Sequence, residues 1–256
     1  MENETIFKKK TIGILGGMGS AASAHLYDQI IKSAQKKYGA KEDHQFPEII
    51  LYNLPLVGLE SSGVDDSNTR MVRNQLVEGV QKLEKWGSDF IIIACNTAHL
   101  FYPEMQNAIS IPIINILEET AKEVKNFGCD KVGVLSSIST YEWGLYKKVL
   151  EKRNIQMVPM NGEQLRQTEE IISNVMSGTQ KQSDKEVLKR IVEHFVEQGA
   201  NGVILGCTEL PLVLIQDDTP VNVFDTTNIL ADAALKNWAV SIEEKLADLE
   251  SLQEYA

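Results

Sequence analysis

Apolar positions along the chain fall into short runs separated by stretches of helical period. Runs rich in β-branched residues occur at 11–17 (TIGILGG), 48–55 (EIILYNLP), 89–96 (DFIIIACN), 111–115 (IPIIN), 131–137 (KVGVLSS), 155–160 (IQMVPM), 202–207 (GVILGC) and 221–225 (VNVFD). Several are continuous rather than alternating, the pattern of strands buried on both faces of a parallel sheet. Between most of them the period changes. Residues 20–37 set Leu26, Ile30, Ile31 and Ala34 on one face, 70–86 set Val72, Leu76, Val80 and Leu83, and 184–198 set Val187, Leu188, Ile191 and Phe195. Such alternation predicts an α/β fold with ligand sites at the carboxyl ends of the strands. The tail 241–256 (SIEEKLADLESLQEYA) reads as an exposed or packing helix without chemistry.

The chain also repeats itself. GSDFIIIACNT at 87–97 matches GANGVILGCTE at 199–209 with an offset of 112, and TIGILGG at 11–17 resembles KVGVLSS at 131–137 with an offset of 120. Each pair has the same order, a glycine-bearing strand followed later by a cysteine-tipped one. The repeat predicts two pseudo-symmetric α/β halves with parallel sheets, facing each other across a central cleft. Their expected bounds are 11–115, with a C-terminal helix at 226–256 packing back on it, and 116–225.

Composition narrows the function classes. With 43% hydrophobic and 24% charged residues among 256, the chain can bury a substantial core. Lys and Arg number 25 against 36 Asp and Glu, a net charge of −11. That balance argues against nucleic acid or an anionic membrane as partner, since both are bound by clustered basic residues. No apolar stretch reaches the roughly 20 residues of a membrane span, and MENETIFKKK has no signal-peptide core. The three cysteines, Cys95, Cys129 and Cys207, form an odd set suited to a reducing cytoplasm. Neither C-x-x-C nor H-E-x-x-H occurs, so no metal site is expected.

Three motifs remain. TIGILGGMGSAAS passes from a strand into a helix near Ser20, but Gly13, Gly16, Gly17 and Gly19 do not form a dinucleotide fingerprint. The run suits either an anion site at a helix N-terminus or a tight turn that needs glycine geometry. A lone cysteine at a buried strand end is ordinarily a small core residue. Two at equivalent points of a duplicated chain predict a shared task, in which one thiolate removes a proton from a stereogenic carbon and the opposite thiol returns one to the other face. A thiol pKa of about 8.5 must be lowered for such work, and Asn96, Thr97, Thr208 and nearby amides are placed to do so. Cys129 has no twin and reads as structural. His99, one turn after Cys95, reads as a thiol partner or as a cap of the turn. Glu209 reads as a proton acceptor, a holder of a substrate ammonium, or a structural residue.

With IGILGGMG (12–19), CNTAH (95–99) and GCTELPL (206–212) together, the chain resembles the aspartate/glutamate racemase family, and within it the aspartate racemase branch, from Lys10 to about Ala234. The resemblance implies two-base racemisation of an amino acid with no cofactor, pyridoxal phosphate included, in a cytoplasmic homodimer. It implies Cys95 and Cys207 as the two bases, one for each face of Cα. The family's α-carboxylate contacts correspond to Asn96, Thr97, Thr208 and the glycine loop at Met18 and Gly19. Asn53 matches a pocket asparagine, and Ser137 to Thr140 a hydroxyl-rich loop. There are departures. Ser20 stands where the family carries proline, and LPLVGLESSG after Asn53 lacks the arginine with which aspartate-specific members grip the side-chain carboxylate. A family lysine aligns with Leu165, leaving the adjacent Arg166 as substitute. Aspartate or glutamate is the expected substrate. The alternatives are a broad range of amino acids, the sister activities of hydantoin racemisation and maleate isomerisation, and a catalytically silent amino-acid-binding protein.

Overall fold

The computed structural model describes residues 10–57 and 66–239. The first half runs β1 (Ile12–Gly16), α1 (Ser20–Tyr38), β2 (Ile49–Asn53), α2 (Asp66–Lys85), β3 (Phe90–Ile93), α3 (Tyr102–Asn107), β4 (Ile113–Ile114) and α4 (Ile116–Asn126). The second runs β5 (Lys131–Leu135), α5 (Ile138–Glu142), α6 (Leu145–Glu151), β6 (Gln156–Val158), α7 (Gly162–Ser177), α8 (Gln182–Glu197), β7 (Gly202–Leu205), β8 (Asn222–Asp225) and α9 (Thr226–Trp238). Every apolar run noted above contains a strand. Most runs extend past their strand at the carboxyl end, where the chain turns away and carries the candidate chemistry. The segment 241–256 lies outside the described residues, so the C-terminal helix is described only as far as Trp238.

All strand pairs are parallel, in the orders β2-β1-β3-β4 and β6-β5-β7-β8. The two sheets are therefore the same sheet built twice. Register carries the repeat to single residues: Leu15 pairs with Ile93 in the first sheet and Leu135 with Leu205 in the second. These are the positions that the offsets of 120 and 112 relate. Two residues beyond Ile93 lies Cys95, and two beyond Leu205 lies Cys207.

The core has three parts. Outside the first sheet, Val72, Leu76, Val80 and Leu83 of α2 are fully buried against Leu15, Ile91 and Ile93, each contributing roughly 1.5–3 kcal/mol by burial. Outside the second sheet, Leu188, Ile191 and Phe195 of α8 pack with Ile171 and Ile172 of α7 against Val203 and Leu205. Between the sheets, a single cluster joins Ile12, Ile14, Phe90 and Ile92 to Val132, Val134 and Ile204 through α1, α4, α6 and α9. The helices of this middle layer are crossed over: α9, which follows β8, packs on α1, and α4, which follows β4, packs on α6. Matching caps begin the two closing helices. Asn115 Oδ1 accepts from the amides of Leu117 and Glu118 ahead of α4, and Asp225 Oδ1 from those of Thr227 and Asn228 ahead of α9. Among the described residues, no helix is long and apolar enough to cross a membrane.

Candidate active site

The loop after β1 is shaped by glycine. Gly17 has φ of 97°, and a Cβ there would stand 2.1 Å from the Leu54 carbonyl oxygen, so no other residue fits. Its N–H donates to Ser23 Oγ at 2.9 Å, and that hydroxyl donates to Gly19 O at 2.9 Å, folding the loop onto the start of α1. Met18 is thereby set against the cavity at the sheet ends.

Cys95 follows β3 and heads the 3-10 turn Thr97–Phe101. Burial, with a smaller contribution from the carboxylate of Glu209, pushes its thiol up to about 12, against the amides of Ala98 and Thr97, which favour the thiolate. Thr97 Oγ1 lies 2.8 Å from Thr140 Oγ1 and 3.2 Å from Ser137 Oγ, so three hydroxyls from the two halves form one cluster. Asn96 is buried. Its Oδ1 accepts from the Tyr146 hydroxyl at 2.6 Å and its Nδ2 donates to Thr226 Oγ1 at 3.3 Å. His99 is held between the Cys95 carbonyl oxygen, 2.9 Å from Nδ1, and the Ile116 amide, which donates to Nε2 at 3.4 Å. Burial lowers its pKa to about 4, so the ring is neutral, with its proton on Nδ1. Of its two readings, the geometry is that of a brace between the turn and α4.

Cys207 follows β7, and its thiol donates to Glu209 Oε2 at 3.0 Å. Burial first, then the Glu209 carboxylate, hold this thiol well above its ordinary range. Glu209 is itself buried. Its Oε1 accepts from the Gly19 N–H at 3.3 Å, its Oε2 lies 3.2 Å from Thr208 Oγ1, and burial raises its pKa above 4.5 despite these bonds. Gly19 leaves room for this contact, since a Cβ there would come within 2.9 Å of Oε1. Cys129 is remote from both thiols, its Sγ against the Asn201 carbonyl oxygen at 3.5 Å.

Cys95 and Cys207 line one cavity of about 420 Å³, together with Gly17, Met18, Leu56, Thr97, Ser137, Ser139, Glu169, Ile172, Ser173, Met176 and Glu209. A larger groove of about 1130 Å³ runs beside β6, among Lys131, Lys147, Glu151 and Gln156, and no thiol is among its described lining residues. Of the residues singled out in the sequence, Met18, Thr97, Ser137 and Glu209 line the cavity with both thiols. Gly19, Thr140 and Thr208 stand behind it and hydrogen-bond to those that do, while Asn96 is tied to Tyr146 and Thr226. Two lie elsewhere. Asn53 is exposed at the end of edge strand β2, where the chain turns inward only at Leu54 and Leu56. Arg166 is exposed near the start of α7, its guanidinium folded back over Gly162.

The fold is found in known proteins. The sequence profile of the family described as Asp/Glu/Hydantoin racemase matches residues 15–234, which takes in the end of β1, the other seven strands and both thiols. The chain belongs to this racemase family. It is 31% identical over 227 residues to the broad specificity amino-acid racemase RacX of Bacillus subtilis, covering 89% of this chain and 97% of the relative. Among solved structures, an aspartate racemase homologue from Pyrococcus horikoshii superposes with a TM-score of 0.74 at 29% identity, over 89% of this chain and 98% of the other. The Picrophilus torridus aspartate racemase superposes with a TM-score of 0.74 at 26% identity, over 90% and 94%.

Within this racemase, sequence reasoning missed one wall of the cavity. Glu169, Ile172, Ser173 and Met176 of α7 recur at the i, i+3, i+4, i+7 spacing of one helix face. Ile171 and Val175, one step away, carry the core face, so the signal was a second stripe holding apolar residues beside a carboxylate. Glu169 Oε2 accepts from the Ile138 amide at 2.8 Å, next to the hydroxyl cluster at Ser137.

Proposed function

We propose that this racemase inverts the α-carbon of free amino acids by a two-base mechanism using Cys95 and Cys207, over a range broader than aspartate and glutamate. The observation that carries the reading is the pair of thiols at register-equivalent ends of β3 and β7, lining one cavity from both halves. Glu209, ionised, takes the proton of the Cys207 thiol that already donates to it. The Cys207 thiolate removes the Cα proton, and the Cys95 thiol delivers one to the opposite face. The new Cys95 thiolate is stabilised by the amides of Ala98 and Thr97. Reversal of these steps handles the other enantiomer. The hydroxyls of Thr97 and Ser137 receive the α-carboxylate, and Glu209 faces the α-ammonium. Asn96, Thr140 and Thr208 position these groups from behind. Breadth of substrate is supported by the lack of a basic residue among the described residues of the cavity lining and by the likeness to the Bacillus subtilis enzyme.

The test is incubation of the enzyme with each L-amino acid in deuterium oxide, reading Cα deuterium and the appearance of the D-enantiomer. Exchange with inversion for several amino acids is the expected result. Exchange confined to a hydantoin, or conversion of maleate to fumarate, would replace the reading with a sister activity, and binding without any exchange would make the protein a silent one.

A further inference from the structure

The α7 wall gives the cavity a chemical preference. It offers two apolar side chains, Ile172 and Met176, one hydroxyl, Ser173, and one carboxylate, Glu169. Glu209 adds a second carboxylate to the lining, and no Lys, Arg or His appears among the described residues that line it. Neither glutamate forms a salt bridge among the described residues. Arg166, one turn before Glu169 on the same helix, lies back over Gly162. The sixteen residues after Asn53, LPLVGLESSGVDDSNT, include no basic residue.

A free amino acid brings one ammonium and one carboxylate, and Glu209 answers the first while the hydroxyl cluster answers the second. Glu169 is then left over. Its Oε2 accepts one hydrogen bond, from the Ile138 amide, and a carboxylate has room for several. A substrate with a second carboxylate would set like charge against Glu169 in a cavity whose described lining offers no cation in return. A substrate whose side chain is an aliphatic stem ending in an ammonium or guanidinium would lay the stem on Ile172 and Met176 and its head on Glu169.

Resting on the racemase reading above, we infer that the enzyme takes amino acids with cationic side chains in preference to dicarboxylic ones, and that Glu169 is the specificity-determining residue.

The experiment measures two things on the same panel, L-lysine, L-arginine, L-methionine, L-aspartate and L-glutamate. One is affinity by titration calorimetry, and the other is Cα exchange. For the wild type, lysine or arginine is expected to bind roughly tenfold or more tightly than aspartate and glutamate, with methionine between. Glu169→Gln keeps an acceptor for the Ile138 amide and should erase the advantage of the cationic members while leaving methionine unchanged. Glu169→Lys should favour the dicarboxylic ones. Equal or better binding of aspartate or glutamate by the wild type overturns the inference, as does a uniform effect of Glu169→Gln across the panel or an absence of binding by all five. Selective binding of lysine or arginine without Cα exchange sustains the inference and overturns the racemase reading.

Discussion

The Cys207 thiol donates to Glu209 Oε2 at 3.0 Å, while Oε1 of the same carboxylate accepts from the Gly19 amide at 3.3 Å. A buried carboxylate whose pKa is raised by burial is a stronger base than one in water, and its partner here is the thiol that the proposed mechanism deprotonates. Glu209→Gln retains the shape and removes the acceptor charge. Steady-state kinetics should show kcat reduced by about 10²–10³-fold. The acid limb of the pH–kcat/KM profile, lying above 4.5 in the wild type because the Glu209 pKa is raised, should vanish in the variant.

The same group fixes the sign of a stability effect. Because the folded carboxyl holds its proton to higher pH than the unfolded one, stability falls as pH rises through the interval from 4.5 to its raised value. Above 4.5 the wild type bears that loss as the carboxyl ionises, and Glu209→Gln does not. Calorimetric melting at pH 7 should therefore find Glu209→Gln more stable than the wild type, and a lower melting temperature would contradict the burial assigned to Glu209.

In the proposed two-base mechanism, Cys95→Ala and Cys207→Ala each remove one wall's proton carrier. Each should lower racemisation by about 10³-fold or more with the melting temperature nearly unchanged. Turnover at the wild-type rate by either variant would sink the two-base mechanism.

Tyr146 and Asn96 tie the halves together through a buried bond of 2.6 Å, and Asn96 continues to Thr226. Tyr146→Phe leaves Asn96 Oδ1 buried without its donor, at a cost of about 1–3 kcal/mol. Denaturant titration should report this loss, together with a fall in kcat as the turn carrying Thr97 loosens.

His99 makes a prediction of opposite sign to that of Glu209. Its folded pKa, about 4, lies below the ordinary 6.5, so the unfolded chain binds the proton first as pH falls. Stability present above pH 6.5 is lost between there and about 4, by about 3 kcal/mol at most. Melting curves across this interval should flatten in His99→Gln. A catalytic titration of His99 would instead appear in the rate profile, where no limb from this residue is expected.

Much of this was legible in the sequence. The eight strands, the three helices with strong periodicity and the duplication announced themselves because burial on both faces of a sheet leaves continuous apolar runs. The constant offsets then survived as register, Leu15 with Ile93 and Leu135 with Leu205. The thiols and Glu209 were legible for the same reason, standing at strand ends. What the sequence hid was orientation. Nothing in the chain says that Asn96 turns inward to Tyr146 while Thr97 turns to the cavity. The site-facing stripe of α7 is masked by its neighbour, since Ile171 and Val175 give the helix an ordinary core face. Arg166 has the right charge at an adjacent position, yet helical geometry and its own flexible stem set it over Gly162.

The two walls of the cavity match in register but not in surroundings, with hydroxyls and amides around Cys95 and a carboxylate beside Cys207. Mirror-image amino acids have equal free energies in water, so kcat/KM for the forward and return conversions must be identical whatever the walls look like. Unlike walls can then be felt only as paired changes: the enantiomer released faster must also be held more loosely. For this racemase, the two directions are bound to differ in saturation and in maximal rate by the same factor.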